Sequence, residues 1–471
     1  MTGKEGVMRM EEMKDKCGVF GIYSNDKDIN VSGVVYTGLY MLQHRGQESA
    51  GIAVKNGDDK IRCHKRMGLV SEVFDDFVLN NLKGDIGIGH NRYSTSGESH
   101  VENAQPIVLK YMGGNVAIAH NGNLINWRKL KNDLQEMGFM FQTTSDSEVI
   151  GALLAKTHIE TENLEESLIK VSKTIKGAFS IVMIAGDKLI AIRDPFGFRP
   201  LCLGKLENSY VLASESVAFS PIGAEFVRDI EPGEILIIDK KGLKSIKYEE
   251  NARTAFCIFE YVYFARPDST IDGVSVYSAR IEAGRNLARE CKIDADIVIG
   301  VPDSGVPAAI GYSRESGIPY AEGFIKNRYI GRTFIQPSQL KREQSVKLKL
   351  SALPGQVGGK KVIMIDDSIV RGTTSKNIVH LLKEAGAKEV HFLSSSPPVK
   401  YCCHMGVDTA DDPKHLIANN YDIEGIRKEI GADSLHYLSL EGLKKSPIGS
   451  NIGYCTACFN GDYPIPVEPL G

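Results

Sequence analysis

No uninterrupted apolar run among the 471 residues approaches the ~20 that a membrane-spanning helix needs. The sixteen residues before Cys17 are charged and Met-rich and contain no apolar core of signal-peptide length, so the expected location is the cytoplasm. Charge of one sign is scarce too: a net charge of −3 gives no reason to expect nucleic acid or an anionic membrane as partner. A disulfide framework is also missing. Nine cysteines, an odd number spread over a long chain without a secretory leader, favour thiols, a nucleophile or metal ligands. The length fits roughly two to four domains of ordinary soluble composition.

What is present begins at Cys17, which heads the alternating small and apolar run Gly18-Val19-Phe20-Gly21-Ile22. Residues 1–16 have no obvious place in a fold. Their removal would leave Cys17 with its thiol beside its own α-amine, which titrates near ~8 and can shuttle the thiol's proton. The ordinary reading is a cysteine at a strand end. From there to about Glu250, short apolar segments punctuated by Gly, Asn and Asp read as strands, with helices over 125–136 and from Ser145 onward. This pattern predicts stacked sheets with helices outside. Polar stretches follow these segments: Gln43 to Glu48, Gly89 to Thr95, and Ala119 to Asn123. The last reads as a hairpin turn through Asn121-Gly122.

Taken together these residues carry a chemistry. A nucleophilic cysteine needs donors for a tetrahedral oxyanion, which an Asn side chain and a Gly backbone N–H supply. A glutamine substrate needs a guanidinium for its carboxylate and a carboxylate for its ammonium. Cys17, Arg92, Asn121-Gly122 and Asp146 occur in that order, and with their flanks they resemble the N-terminal-nucleophile glutaminase domain of class II amidotransferases. The resemblance implies an αββα sandwich over 17–250. It makes Cys17 the nucleophile, Asn121 and Gly122 the oxyanion hole, and Arg92, Thr95 and Asp146 the glutamine contacts. It also implies that residues 1–16 are a propeptide.

The chain changes character near Asn251 to Ser269, and helical and strand patterns then alternate, predicting an α/β domain with a parallel sheet. The strand Lys361 to Ile365 ends in Asp366-Asp367, and Ser368 to Thr374 then opens a helix expected over Lys376 to Ala385. Such a loop aims backbone N–H groups, hydroxyls and a helix dipole at a phosphate, and paired acids suit ribose hydroxyls or Mg²⁺. The stretch resembles the phosphoribosyl-pyrophosphate (PRPP) motif of type I phosphoribosyltransferases. That likeness assigns Asp366 and Asp367 to ribose and Mg²⁺, and Ser368, Arg371, Gly372, Thr373 and Thr374 to the 5′-phosphate. It makes 301–307 a pyrophosphate loop with Ser304 near the metal. The basic stretch from Lys326 to Lys347 becomes a flap, with Lys326 on PRPP.

Cys455-x-x-Cys458, joined by Cys257 and Cys403, makes a Cys₄ set that fits structural zinc or an iron–sulfur cluster, with four unliganded thiols as the plain reading. The flanks resemble the iron–sulfur subgroup of glutamine PRPP amidotransferases. This implies a [4Fe-4S] cluster that ties a segment 421–471 to a transferase domain 251–420; Cys402, beside Cys403, stays an alternative ligand. The combined resemblance implies conversion of PRPP, glutamine and water to 5-phosphoribosylamine, glutamate and pyrophosphate at the entry to purine synthesis. Purine nucleotides are the expected feedback inhibitors and a homo-oligomer, dimer or tetramer, the expected assembly. A non-enzymatic PRPP-sensing regulator and an ammonia-only transferase are the rival expectations.

Overall fold

The structure is a computed structural model that describes residues 17–57, 60–93, 99–250, 253–327, 350–407, 409 and 412–467. Its first half stacks two antiparallel sheets. The seven-stranded sheet runs in the order Glu225–Asp229, Cys202–Leu206, Ser209–Ala213, Gly18–Tyr23, Ile86–Arg92, Ser49–Lys55, Ile61–Met67. The six-stranded sheet runs Gly242–Lys247, Glu234–Asp239, Lys188–Arg193, Gly177–Ala185, Gly114–Leu124, Ile107–Tyr111.

Strand periodicity of two sorts the side chains into layers. Val19 and Tyr23 point inward and meet Ala117, Ala119, Val182 and Ile184 of the facing sheet. Phe20 and Ile22 point outward onto Val35 and Leu39 of the helix Val31–Met41. On the far side, Ile118, Ile181 and Met183 pack on Val149, Ile150 and Leu153 of the helix Asp146–Thr161. The result is the predicted αββα sandwich, each fully buried Ile, Leu or Phe contributing about 1.5–3 kcal/mol.

The second half carries a parallel sheet in the order Ile297–Gly300, Lys361–Asp366, Glu389–Ser394, Ser434–Tyr437. One face packs on Ile378, Val379 and Leu382 of the helix Thr373–Glu384. The other face packs on Leu287, Ala308 and Tyr312, from the helices Val276–Glu290 and Gly305–Ser316. These two helices touch backbone to backbone: a Cβ on Gly284 would stand 1.8 Å from the Ala308 carbonyl oxygen. Among the described residues, no helix is long and apolar enough to cross a membrane.

Three expectations need correction. His90-Asn91-Arg92 and His120-Asn121-Gly122 are not in turns; they end the strand Ile86–Arg92 and continue the strand Gly114–Leu124. Both are buried between layers, and there Asn-Gly is spared the hairpin because the ladder to Gly177–Ala185 runs through it. The division at residue 420 cuts the transferase sheet, since the helix Ile423–Ile430 and the strand Ser434–Tyr437 belong to its core. The helix expected from Lys376 begins at Thr373, because Gly372 with φ +87° caps it one turn earlier.

The halves are joined by a buried ionic seam. Arg45 donates to Glu215 and, at 2.6 Å, to Glu260, while Arg199 Nη1 stands 3.7 Å from the other Glu260 oxygen. All four side chains are fully buried. Glu260 lies in the short π-helical turn Glu260–Phe264, just after the strand Phe256–Cys257, which pairs in parallel with Tyr454–Cys455.

Candidate active sites and a four-thiol cavity

Cys17 sits at the head of the strand Gly18–Tyr23, 6% exposed. Gly18 is in register with Asn91 of the antiparallel neighbour, which puts Cys17 beside Arg92 and Tyr93. Its thiol donates to the Tyr93 carbonyl over 3.5 Å. On the next strand Ser49 lies opposite Arg92, and Glu48 Oε2 comes within 3.8 Å of Arg92 Nη1. Burial pushes the Cys17 thiol up to about 11; Arg92 pulls it down, and Asp146 and Glu48 push it up. Without a base to take its proton, such a thiol stays protonated at neutral pH.

The facing sheet brings the other groups. The His90 ring bonds the His120 carbonyl at 3.0 Å and bridges the two sheets just before Asn121. Asp146, at the first turn of its helix, accepts from the Leu124 N–H at 2.9 Å and has His120 Nδ1 at 3.8 Å. Asn121 is fully buried, and neither atom of its side-chain amide has a hydrogen-bond partner. An orphaned buried amide costs about 1–3 kcal/mol and calls for an explanation. Gly122 is opposite Phe179, whose N–H and carbonyl are both engaged by Asp194 on its other side. This is therefore a non-bonded pair of the ladder, and the Gly122 amide points away from it. Glycine is required here: a Cβ would stand 1.9 Å from the Ala178 carbonyl, and φ is +154°. Thr95 lies outside the described residues.

Sequence reasoning assigned no role to Glu48, which stands in the polar stretch 43–48, or to Gln105 and Ser147. Gln105 accepts from the His120 N–H at 2.7 Å and donates to Ser147 Oγ at 3.0 Å, and so fixes the His120–Asn121 backbone. Nothing in their local pattern marks them; only the strand register collects them.

The second site lies at the carboxyl ends of adjacent parallel strands, where open α/β sheets bind ligands. Asp366 and Asp367, 8% and 9% exposed, end the strand Lys361–Asp366. Ser304 Oγ donates to Asp367 Oδ2 at 2.5 Å and Ser368 Oγ to Oδ1 at 2.6 Å. The 301–305 loop packs against the same strand: Val301 N–H donates to the Ile365 carbonyl at 2.9 Å, and a Cβ on Gly305 would stand 2.3 Å from that oxygen. The segment Ser368 to Gly372 then leads into Thr373 and Thr374 at the helix N-terminus, which has no side-chain cap. Its N–H groups and the dipole are open to an anion. Arg371 is half-buried in this segment. Lys326, on the strand Phe324–Lys326, pairs with Asp303 at 2.5 Å. The rest of the expected flap, residues 328–347, lies outside the described residues.

Cys257, Cys403, Cys455 and Cys458 line one cavity, together with Phe198, Phe259, Met405, Val407 and Tyr463. Cys402 is not among its lining residues; its carbonyl accepts from the Tyr463 hydroxyl. Among the described residues, no group of three or more His, Cys, Asp or Glu is gathered to hold a single metal ion. The four thiols instead face one another across the cavity. Burial holds Cys257, Cys403 and Cys458 above the usual thiol range and pushes Cys455 up to about 12, and the mutual repulsion of their thiolates adds to this.

Two family models match the chain: a glutamine amidotransferase domain over residues 90–221 and a phosphoribosyl transferase domain over 277–395. An amidophosphoribosyltransferase of Methanothermobacter thermautotrophicus is 50% identical over 97% of this chain and 96% of its own length. That of Bacillus subtilis is 48% identical over 97% and 95%. The solved structure of the glutamine PRPP amidotransferase of B. subtilis, complexed with ADP and GMP, superposes with a TM-score of 0.89 at 47% identity, covering 96% of this chain and 98% of that one. With two sites assembled on the two matching domains and kinship of this extent, the chain belongs to the amidophosphoribosyltransferase family, the glutamine-dependent enzymes that transfer an amino group to PRPP in purine biosynthesis.

Proposed function

We propose that Cys17, exposed as the N-terminal residue by removal of 1–16, is the nucleophile of glutamine hydrolysis. Its thiol proton passes to its own α-amine as sulfur attacks the amide carbon, and then to the leaving ammonia; water hydrolyses the thioester to glutamate. Asn121 Nδ2 and the Gly122 N–H stabilise the oxyanion, Arg92 with Thr95 holds the α-carboxylate, and Asp146 holds the ammonium. The carrying observation is the orphaned Asn121 amide, buried next to the nucleophile strand: it is satisfied when an oxyanion arrives. The thiol pushed up to about 11 supports the need for a freed α-amine.

At the second site, Asp366 and Asp367 hold the ribose hydroxyls, and Ser368, Arg371, Gly372, Thr373 and Thr374 hold the 5′-phosphate. Lys326 reaches the pyrophosphate. Carboxylates and the Ser304 hydroxyl form an oxygen donor set that fits Mg²⁺. When bound, Mg²⁺ neutralises charge on the departing pyrophosphate. Ammonia released at Cys17 attacks C1 of PRPP.

Four thiols lining one otherwise largely apolar cavity fit a [4Fe-4S] cluster held by Cys257, Cys403, Cys455 and Cys458. The ADP and GMP in the B. subtilis structure support purine nucleotides as inhibitors. Residues 17–250 form the glutaminase unit and 251 onward the transferase unit, with 421–471 contributing to both sheet and cavity.

The test is glutamate and pyrophosphate release in Cys17→Ala with glutamine or ammonium as nitrogen donor. Glutamine-supported turnover should fall by roughly 10⁴-fold or more, with ammonium-supported turnover kept. Full glutamine use by Cys17→Ala would sink the nucleophile assignment. Loss of both activities would argue against separable sites. An anaerobic visible spectrum with iron, sulfide and zinc analysis decides the cluster: one zinc without sulfide refutes it.

A further inference from the structure

The segment that carries Cys403 has a second contact. Directly after this cysteine, the His404 carbonyl accepts from Asn123 Nδ2 at 2.9 Å, two residues beyond Asn121. Met405 is buried against Ala178 and Phe198, and its carbonyl accepts from the buried Arg199. Gly406, at φ +90°, lies so close to the strand that a Cβ would stand 3.2 Å from the Gly122 carbonyl carbon and 3.2 Å from Asn123 Cβ. On its other side this segment closes the thiol cavity through Cys403, whose sulfur accepts from the Met405 N–H at 3.3 Å.

The Gly122 pair in the ladder is a non-bonded one, and beyond Ile118 the outer strand Ile107–Tyr111 no longer accompanies Gly114–Leu124. Among the described residues, the strand edge bearing Asn121-Gly122 therefore has no neighbouring strand on that side. The 404–406 segment packs against the Gly122–Asn123 peptide.

We propose that Asn123 and Gly406 are positioning residues of the glutaminase reaction, forming a bracket by which the segment between two cavity-lining residues fixes the oxyanion hole. Neither touches substrate. Asn123 anchors the strand by a hydrogen bond to the 404 carbonyl, and Gly406 sets the distance at which the Gly122 peptide rests. A shift of about 1 Å in a positioned donor costs about 10²-fold in rate. The thiol cavity is thereby the back support of the glutamine site. This inference rests on Asn121 and Gly122 being the oxyanion hole.

The experiment compares Asn123→Ala, Gly406→Ala and Asn121→Ala with the wild-type holoenzyme, purified anaerobically. For Asn123→Ala and Gly406→Ala, kcat with glutamine should fall about 10²-fold, with KM for glutamine and ammonium-supported kcat both within about threefold of wild type. Iron and sulfide per chain and the visible spectrum should match wild type. Affinity for glutamate γ-semialdehyde, which forms a tetrahedral adduct on the thiol, should fall by a similar factor, with product glutamate binding unchanged. Wild-type kcat in both variants, or an equal fall with glutamine and ammonium, overturns the bracket. So does loss of iron together with glutamine activity, which marks a merely structural role. If Asn121→Ala is impaired and both bracket variants are not, only the bracket fails; if Asn121→Ala is also unimpaired, the oxyanion assignment fails with it.

Discussion

The glutamine site and the phosphate site are built in opposite ways. Cys17, Arg92, Asn121 and Asp146 span 130 residues of sequence and meet only because strand register and the stacking of two sheets bring them together. Asp366 to Thr374 is one continuous segment at the end of one strand and the start of one helix. The first site depends on the whole sandwich being in register, and the second mainly on a single αβ turn. A register-built site is rigid and exact in placing donors, but it is exposed to distant damage. A segment-built site can be laid down locally and closed by a separate flap.

The largest expected effect exploits this division. Asp367 takes hydroxyl bonds from both Ser304 and Ser368, so Asp367→Asn removes the charge while leaving an acceptor in place. Turnover should drop by roughly 10²–10³-fold with glutamine and with ammonium alike, since both nitrogen sources meet PRPP there. Steady-state pyrophosphate release reads this directly. If ammonium-supported turnover survived, the acids would not serve the shared site.

Next in size is the seam that joins the two constructions. Glu260 is the shared carboxylate between Arg45 and Arg199, all without solvent. Glu260→Gln leaves Arg199 without its carboxylate and Arg45 with Glu215 alone, and removing one partner of a buried pair costs about 3–5 kcal/mol. Urea denaturation should show that loss. A change below about 1 kcal/mol would mean that solvent already reaches the seam.

The two halves also differed in how plainly the sequence announced them. The strand, turn and helix around Asp366 to Thr374 were legible because their signals are local: paired acids, hydroxyls and glycine stand side by side. In the glutaminase half the candidate residues were picked out through their order, but their setting was misread. Asn121-Gly122 carries a turn signal that the ladder to Gly177–Ala185 overrides, since that strand's own pairing and burial outweigh a two-residue propensity. The seam was invisible: Arg45, Arg199, Glu215 and Glu260 are scattered charges, and charged residues ordinarily face water. The strand Ser434–Tyr437 was missed because four residues of mixed polarity show no clear period. Cys403 was separable from Cys402 only once the cavity gave the two thiols different surroundings.

A smaller effect tests the segment-built half away from its turn. The helices Val276–Glu290 and Gly305–Ser316 meet where a Cβ on Gly284 would overlap the Ala308 carbonyl at 1.8 Å. Gly284→Ala gains helix propensity but has to push the helices apart, a net loss of about 1–3 kcal/mol. Thermal unfolding should shift down by several degrees while the Cys17-dependent hydrolysis of glutamine below that transition stays near wild type. A parallel loss of glutaminase rate would show that the transferase helices are not independent of the sandwich.

The smallest effect lies in the pH dependence of the seam. Asp229, the last residue of the edge strand Glu225–Asp229, accepts from the Asp272 N–H at the start of the transferase half, and Arg193 of the sandwich pairs with Asp272. Burial, and then the Asp272 charge, push its carboxyl up to about 7, against the pull of Arg193. An unfolded Asp titrates near ~3.9. Between those values the folded chain holds a proton that the unfolded chain has lost, so this group stabilises the fold fully below about pH 4, and the benefit is lost as pH rises through about 7. Glu215 works in the opposite direction. Burial alone would raise it, but Arg45 and His44 hold it well below the usual carboxylate range, so its contribution is present above about pH 4.5 and fades in acid. Urea midpoints measured from pH 5 to 8 should therefore decline less steeply with rising pH in Asp229→Asn than in wild type. An unchanged slope would remove Asp229 from the titration of the junction between the two halves.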